Sequence, residues 1–511
     1  GAEGGKKSGK EDIEASSSGG SGSGGSAGGG SGAHKESDSW SWLGDGVLAS
    51  LLGAGVSLEP YAAFQETLPR LVAEAALEAA ALEEAAAAEA VQGTSSAAVE
   101  SKTRRSVGVL VERSSCSMAV ADAIVAANAL LDSSKGPTVS VRLAETAVSP
   151  IQAFKARKNE AEVAGIKSAA LRDSAAVVQF LSWLTTRLGT QTQPDQGQGG
   201  GDDELREHAL GERLKKFRQG MGGYVGDSFE TISAVGPNSA VIHYKPVPGS
   251  DSLLTLEHMY LLDTGGQYLD GTTDVTRTFH FGAATAEQKR AYTRVLQGHL
   301  ALARAVFPSG TPGLMLDALA RAPLWQDGLT YGHGTGHGIG AYLNVHEGPF
   351  GIGGGTVAGG VIRQNPRMLA YYLEPIELGM YVSDEPGFYL AKHWGVRLES
   401  DLVVVEAGKF GGGSGGGGGD GEDEDPASPS ASAAFSSTQS KPTRPFLKFD
   451  YVTKVPMCLA LIDVGLLSPP EVEWIDGYHR DCAECLLPLL AGDAGAREWL
   501  RQATVPLKSK T

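Results

Sequence analysis

From Tyr331 to Gly340 the chain reads YGHGTGHGIG, with glycine at 332, 334, 336, 338 and 340. Each glycine inside a helix costs about 1 kcal/mol relative to alanine, so a helix is excluded here. His333 and His337 are therefore not the i, i+4 pair of a helical zinc site. On extended backbone, glycine at every second residue leaves one face without Cβ atoms and lets a ligand lie close against the chain. His346 follows nine residues after His337, in NVHEGP. Three of the 11 histidines thus fall within a short stretch, a density that core packing alone rarely produces.

Carboxylates stand in equally marked places. Asp263 follows the apolar run Met259–Leu262, and Asp274 sits in the strand-like TTDVTRT, with Asp270-Gly271 between them as a hairpin turn signal. With 270 and 271 as the turn centre, position 263 pairs with 278, and 274 shares that face because strand side chains repeat every two residues. This register leaves the two acids four residues apart along the sheet, so Gly265-Gly266 has to bulge or fold the strand to bring them together. Two aspartates on one face repel unless a cation lies between them. Taken alone they read more simply as exposed strand carboxylates. Glu385, however, stands in SDEPGFY directly before a Pro-Gly turn, and Glu399 ends the strand-like VRLE. Asp263, Asp274, His337, Glu385 and Glu399 together supply four carboxylates and one imidazole, which match the charge of two divalent ions. An oxygen-rich set suits manganese, cobalt or iron(II) better than a structural zinc.

The rest of the 511 residues gives these motifs a setting. Within residues 1–32, 13 are Gly and 8 are Ser, too polar a mixture to offset chain entropy, so residues 1–44 are expected to be a disordered tail. Residues 189–203 and 409–443 read as flexible insertions of the same kind. Without the three segments about 417 residues remain, enough for two or three domains. An Ala/Leu/Glu-rich helix is expected from Leu71 to Ala90, a second helical region from Pro150 to Leu188 and a third from Ala286 to Val306. Short β-rich runs (AVIHY, MYLLD, DVTRTFHF) alternate with turn signals after Tyr224, making the class α+β. A net charge of -17 argues against nucleic acid and anionic membrane surfaces as partners. Four cysteines make no disulfide framework, and no apolar run approaches membrane-spanning length. A soluble protein of a reducing compartment, the cytoplasm, is expected. An organelle stays open, because the chain starts at Gly1 rather than Met and a targeting segment can precede it.

Four motifs, DTGGQYLDGTTDVTRT, GHGTGHGIGAYLNVHEGP, SDEPGFY and GVRLES, make the sequence resemble aminopeptidase P, the Xaa-Pro aminopeptidases of the pita-bread (creatinase/aminopeptidase-like) metallopeptidases. Similarity extends to SPIQAFKARKNEAE, GPNSAVIHY, FLKFDYVTKVP, LIDVGLLSP and WIDGYHRDC. The resemblance implies a catalytic domain over 146–408 and a small C-terminal extension over 444–511. It implies that the five residues named above hold two divalent metal ions, Mn2+ first and Co2+, Fe2+ or Zn2+ as alternatives, with Asp274 and Glu399 bridging both. His243, His333 and His346 match the accessory histidines that hydrogen-bond the substrate and the tetrahedral intermediate. The implied substrate is a peptide with proline second, cut after its first residue by a hydroxide bridging the dinuclear centre, with Glu385 shuttling the proton.

This chain also departs from that pattern. Family members of the long type form a homodimer with large N-terminal domains, whereas residues 45–145 offer only about 100 residues in their place. Gly353–Leu373, after HEGPFGI, is an extra segment. Arg397, two residues before Glu399, is expected to hold a carboxylate rather than touch substrate. The pair Cys482 and Cys485 behind His479 lacks further ligands and reads as ordinary packing, and His258, His280 and His299 as structural or exposed. His393 and Trp394 are candidates for the pocket rim. Prolidase and methionine aminopeptidase share the ligand scheme, but YLNVHEGP and LIDVGLLSP fit aminopeptidase P. A metal-free binding protein on the same fold is the rival of another class, and it would be expected to have lost ligands.

Overall fold

The computed structural model describes residues 64–91, 105–112, 117–133, 139–146, 148–191, 202–354, 365–408 and 444–507. The Gly/Ser-rich residues 1–44 and the segment 409–443 lie outside them. Contacts divide the chain into two units, 1–107 with 118–141, and 108–117 with 142–511. In chain order the elements before the catalytic motifs are α1 (Phe64–Val91), β1 (Arg105–Glu112), α2 (Met118–Ser133) and β2 (Val139–Thr146). In the first unit α1 and α2 pack on each other and bury small residues, among them Ala76, Ala80, Ala123 and Ala127. The division between the units runs through the β1–β2 pair.

After residue 146 the second unit continues with α3 (Pro150–Ala156) and α4 (Glu160–Gln191). The helical region expected over Pro150–Leu188 is thus two helices. Asn159 starts the second with a reciprocal cap, its Oδ1 accepting from the Glu162 amide and its own amide donating to Glu162 Oε2, both at 2.9 Å. Part of the expected insertion 189–203 is also helical: α4 runs through to Gln191, and a 3-10 turn occupies Asp202–Leu205. Residues 192–201 lie outside the described set.

Next come α5 (Glu207–Gln219), β3 (Tyr224–Asp227), β4 (Ile232–Val235), β5 (Met259–Thr264), β6 (Gly266–Tyr268), β7 (Gly271–Thr272) and β8 (Val275–His280). AVIHY is not a strand. Its Ala240 ends a 3-10 helix over Gly236–Ala240, and His243 lies on a turn. The hairpin from β5 to β8 keeps a single register throughout: Asp263 opposes Thr276, Thr264 opposes Val275, Gln267 opposes Thr272 and Tyr268 opposes Gly271. The turn centre is therefore Leu269-Asp270, two register steps from the expected pairing of 263 with 278. No extra residue is inserted. The ribbon folds at Gly265 and passes from one sheet (β4-β5-β8) to another (β3-β6-β7). A Cβ on Gly265 would lie 2.1 Å from the Thr273 carbonyl, so only glycine fits at the fold.

The remaining elements are α6 (Ala286–Ala303), β9 (Val306–Pro308), α7 (Gly313–Trp325), β10 (Gly336–His337), β11 (Gly351–Ile352), α8 (Pro366–Leu373), β12 (Tyr381–Asp384), β13 (Gly387–Leu390), β14 (Trp394–Arg397), β15 (Ser400–Glu406), β16 (Phe446–Tyr451), α9 (Pro469–Leu486) and α10 (Ala494–Ala503). Helix α6 begins at a Thr285–Gln288 capping box and ends before Val306, which instead pairs with Lys448 in β9. Strand β16 lies between β15 and β9 in the four-stranded sheet β12-β15-β16-β9. Residues after 444 therefore share the core: Met457, Ile475, Tyr478 and Cys482 pack with Tyr292, Leu296, Val396 and Leu398.

Candidate metal centre

The two sheets and the glycine loop converge on a cavity of about 270 Å³. Asp263, Asp274, His337, Glu385 and Glu399 line it, together with His243, His346, Arg397 and the apolar Phe229, Ile232, Ile242 and Val345. Each polar group arrives on a defined piece of backbone. Asp263 is paired in β5, and Asp274 stands at the hairpin fold, two residues before Thr276, the partner of Asp263. Glu399 lies between β14 and β15, its amide donating to the Thr276 carbonyl at 2.9 Å. Glu385 directly follows β12, its amide donating to the Thr335 carbonyl at 2.7 Å. His337 sits in β10, opposite Gly351.

The ligand-type atoms are close. His337 Nε2 is 3.5 Å from Asp274 Oδ2 and 3.7 Å from Glu385 Oε1. Asp274, His337 and Glu399 can each offer an atom within 4.8 Å of the others. His337 Nδ1 is 3.0 Å from the Gly338 carbonyl, an acceptor only, so Nδ1 carries the proton and Nε2 turns its lone pair toward the carboxylates. That tautomer is the one a metal ligand needs.

The electrostatics of the cluster are unfavourable without a cation. Burial, then Glu399, Asp263 and Asp401, push the Asp274 carboxyl well above the usual range. Burial followed by Glu399 does the same to Glu385, and burial with Asp263 raises Glu399 to about 7. Asp263 Oδ1, Asp274 Oδ1 and Asp401 Oδ1 are buried without a hydrogen-bond donor, a costly state for carboxylate oxygens. The cavity wall supplies one guanidinium in compensation: Arg397 Nη2 donates to Asp263 Oδ2 at 2.5 Å, holding a carboxylate as its position suggested. Buried oxygens lacking donors, an imidazole lone pair aimed at them and a surplus of negative charge fit divalent cations.

Asp401 is a residue that sequence reasoning missed. Its Oδ2 accepts from the Asp274 amide at 3.0 Å and from the Tyr381 hydroxyl at 2.7 Å, which pins the backbone of Asp274. The available signal is its spacing two residues after Glu399, at the edge of GVRLES.

The accessory histidines divide. His243 and His346 line the cavity, and the His346 ring meets that of His337 edge to face at 4.2 Å. Burial, followed by its two histidine neighbours, lowers the His346 pKa to about 4, so its ring is neutral at pH 7. His333 does not line the cavity. Its Nε2 bonds the Tyr389 hydroxyl at 2.8 Å, and that hydroxyl also accepts from Arg397 at 2.9 Å. His393 is exposed in a turn and Trp394 packs on Phe388; neither reaches the cavity wall.

The alternating glycines also serve a different purpose from the one expected. Cβ atoms at Gly336, Gly338 and Gly340 would lie 2.0, 2.1 and 2.1 Å from the carbonyls of Ser383, Glu347 and Leu343. The close approach is made by the chain's own backbone, which lets the loop lie flat between two others. Cys482 is buried in the apolar core, and His479 Nε2 accepts the Met457 amide at 3.1 Å.

Comparison with known proteins places this geometry. Residues 164–406 match the model of metallopeptidase family M24, and residues 445–507 match that of the C-terminal region of peptidase M24. A probable Xaa-Pro aminopeptidase P of Laccaria bicolor is 42% identical over 359 residues, 70% of this chain and 48% of that protein. Aminopeptidase P1 of Lotus japonicus is 42% identical over 370 residues, covering 70% and 49%. The chain spans about half the length of the curated relatives it matches. Among solved structures, an X-prolyl aminopeptidase from Caenorhabditis elegans, described as a cytosolic enzyme with a di-nuclear active site, superposes with a TM-score of 0.62 at 30% identity, over 91% of this chain and 60% of that one.

Proposed function

Because the chain belongs to metallopeptidase family M24 and carries its pita-bread fold, we propose that it is a metal-dependent aminopeptidase that removes the first residue from peptides with proline second. The observation that carries this reading is the convergence of Asp263, Asp274, His337, Glu385 and Glu399 on one cavity, with buried carboxylate oxygens lacking donors. These five residues would hold two divalent ions, for which manganese suits the oxygen-rich set. When bound, such ions supply Lewis acidity for a peptide carbonyl and acidify a water.

The remaining work falls to the chain. Glu385, with its Oε1 3.7 Å from His337 Nε2, is placed to take a proton and pass it to the departing proline nitrogen. His346, kept neutral by its surroundings, can donate a hydrogen bond to the substrate backbone without adding charge, and His243 faces the same space as a second donor. His333 acts from behind the wall, through Tyr389, rather than on substrate directly. The apolar side chains Phe229, Ile232 and Ile242 offer proline a dry surface.

No helix of the described residues is long and apolar enough to cross a membrane. A cytoplasmic setting belongs to the same proposal and is supported by the description of the Caenorhabditis elegans protein. The deciding experiment is hydrolysis of a proline-second tripeptide, and of the same peptide with alanine second, with and without added Mn2+. Release of the first residue from the proline peptide alone, dependent on metal, is the expected result. Metal-dependent cleavage of dipeptides only would favour a prolidase, and absence of bound metal would favour the binding-protein reading.

A further inference from the structure

Helix α8 lies within the segment that departs from the family pattern, and it packs against the back of the metal-binding loop. Asn365 caps it, its Oδ1 accepting from the amides of Arg367 and Met368 at 3.1 and 3.2 Å, and Pro366 fills the first turn. Its C-terminal end carries Tyr371 and Tyr372, whose rings meet at 5.2 Å. Both press on glycines of the loop. A Cβ on Gly351 would lie 2.2 Å from Tyr371 Cε1, one on Gly353 would lie 2.6 Å from Tyr372 Cε1, and one on Gly334 would lie 2.9 Å from the Tyr372 hydroxyl.

Gly351 is the strand partner of His337, so the Tyr371 ring rests directly across the β10–β11 pair from the one nitrogen ligand. The Gly338 N–H, which donates to the Phe350 carbonyl at 3.3 Å, also faces the Tyr371 hydroxyl. The Gly338 carbonyl, in the next peptide unit, holds His337 Nδ1 and accepts the Glu347 amide at 2.8 Å. Tyr371 thus abuts Gly351, opposite His337, and the peptide that joins His337 to Gly338, while its own ring stays outside the cavity wall.

We infer that Tyr371 is a positioning residue for His337: its ring seats Gly351 and its hydroxyl receives the N–H of the peptide that joins His337 to Gly338, so that Nε2 is held on the divalent cation. This inference rests on the reading of His337 as a metal ligand. Groups behind metal-bound histidines typically change metal affinity by about 10–100-fold when lost.

The test uses the full chain, stripped with chelator and titrated with Mn2+ by calorimetry, for wild type, Tyr371→Phe, Tyr371→Ala, Gly351→Ala and His337→Ala. Tyr371→Phe keeps the ring and is expected to weaken Mn2+ binding about 10-fold, with the thermal midpoint of the stripped protein unchanged. Tyr371→Ala should weaken binding further, and Gly351→Ala should reproduce it by displacing the ring. Wild-type Mn2+ affinity in Tyr371→Phe and Tyr371→Ala, alongside loss of binding in His337→Ala, would overturn the positioning role and leave the metal site standing. Equal binding by wild type and His337→Ala would instead remove the ligand assignment itself.

Discussion

Thr276 and Glu399 are joined twice: the Glu399 amide donates to the Thr276 carbonyl at 2.9 Å, and Thr276 Oγ1 donates to Glu399 Oε2 at 2.7 Å. Thr276 is also the register partner of Asp263, so one residue of β8 locates two carboxylates, one in β5 and one between β14 and β15. Its hydroxyl lowers the pKa of Glu399 against the effect of burial. Thr276→Val keeps the shape and removes that donor. Mn2+ affinity should fall about 10–100-fold by calorimetry. Unchanged affinity would show that Glu399 is held by its backbone alone.

His337→Ala should lose bound metal, whereas His333→Ala and His346→Ala should keep it and lose turnover. The reason is directional. His337 Nε2 faces Asp274 and Glu385, but His333 Nε2 is engaged by Tyr389, and burial followed by Arg397 lowers its pKa to about 3. Metal content measured on purified variants separates the roles. Equal metal loss in His333→Ala and His337→Ala would mean that the two are confused.

Much of the site was legible before folding because its chemistry lies in short motifs with fixed neighbours: Asp263, Asp274, His337, Glu385 and Glu399 all meet in one cavity. What was not legible depends on contacts between distant segments. The hairpin turn moved to Leu269-Asp270 because the Leu269 amide bonds the Gly223 carbonyl and Asp270 bonds Arg172, overriding the local Asp-Gly preference. Gly271 is small for another reason, since a Cβ there would lie 2.7 Å from Ala169 on α4. Asp401 emerges only when β15 lies beside β12 and the hairpin fold, and His333 is turned aside by a tyrosine 56 residues away.

Arg397 is buried and donates to Asp263, Thr276 and Tyr389. Replacing it with Met leaves a buried carboxylate uncompensated, which costs about 3–5 kcal/mol. Denaturant unfolding of the metal-free variant should show a loss of that size, and saturating Mn2+ should recover part of it by binding only the folded state. A variant as stable as wild type without metal would overturn the compensating role of Arg397.

The metal-free protein should lose stability as pH rises from 5 to 8. Folded Asp274, Glu385, Glu399 and Asp401 all have raised carboxyl pKa values, with burial the first cause, and Glu399 reaches about 7 from an ordinary 4.5. A raised carboxyl is favoured in its neutral form, so its contribution is fully present below the unfolded value and disappears as pH climbs through the folded one. Cations that replace the protons should flatten the dependence. Thermal midpoints across this window, in chelator and in Mn2+, check the sign, and a midpoint in chelator that climbs with pH would contradict it.

Residues 409–443 should be dispensable for metal binding and turnover. Their flanks are already neighbours, because β15 and β16 pair antiparallel with Glu406 opposite Leu447, and the Ala407 amide donates to the Phe446 carbonyl at 2.9 Å. Closing this ladder therefore needs only a tight turn, and exchanging 35 residues for two changes the loop-closure cost by only a few kcal/mol at most, in the favourable direction. Asn-Gly between Gly408 and Arg444 leaves a three-residue turn inside the continued 408–445 pairing, a length that hairpins also favour. The join must spare β15, since Asp401 in that strand holds the Asp274 amide and Ser400 follows Glu399 directly. Shortened protein should show wild-type Mn2+ affinity, a thermal midpoint at or above that of the parent, and unchanged cleavage of a proline-second peptide. Normal folding and metal binding with lost cleavage would make 409–443 a functional element, because the β15–β16 ladder and the cavity would then be intact while the reaction had failed.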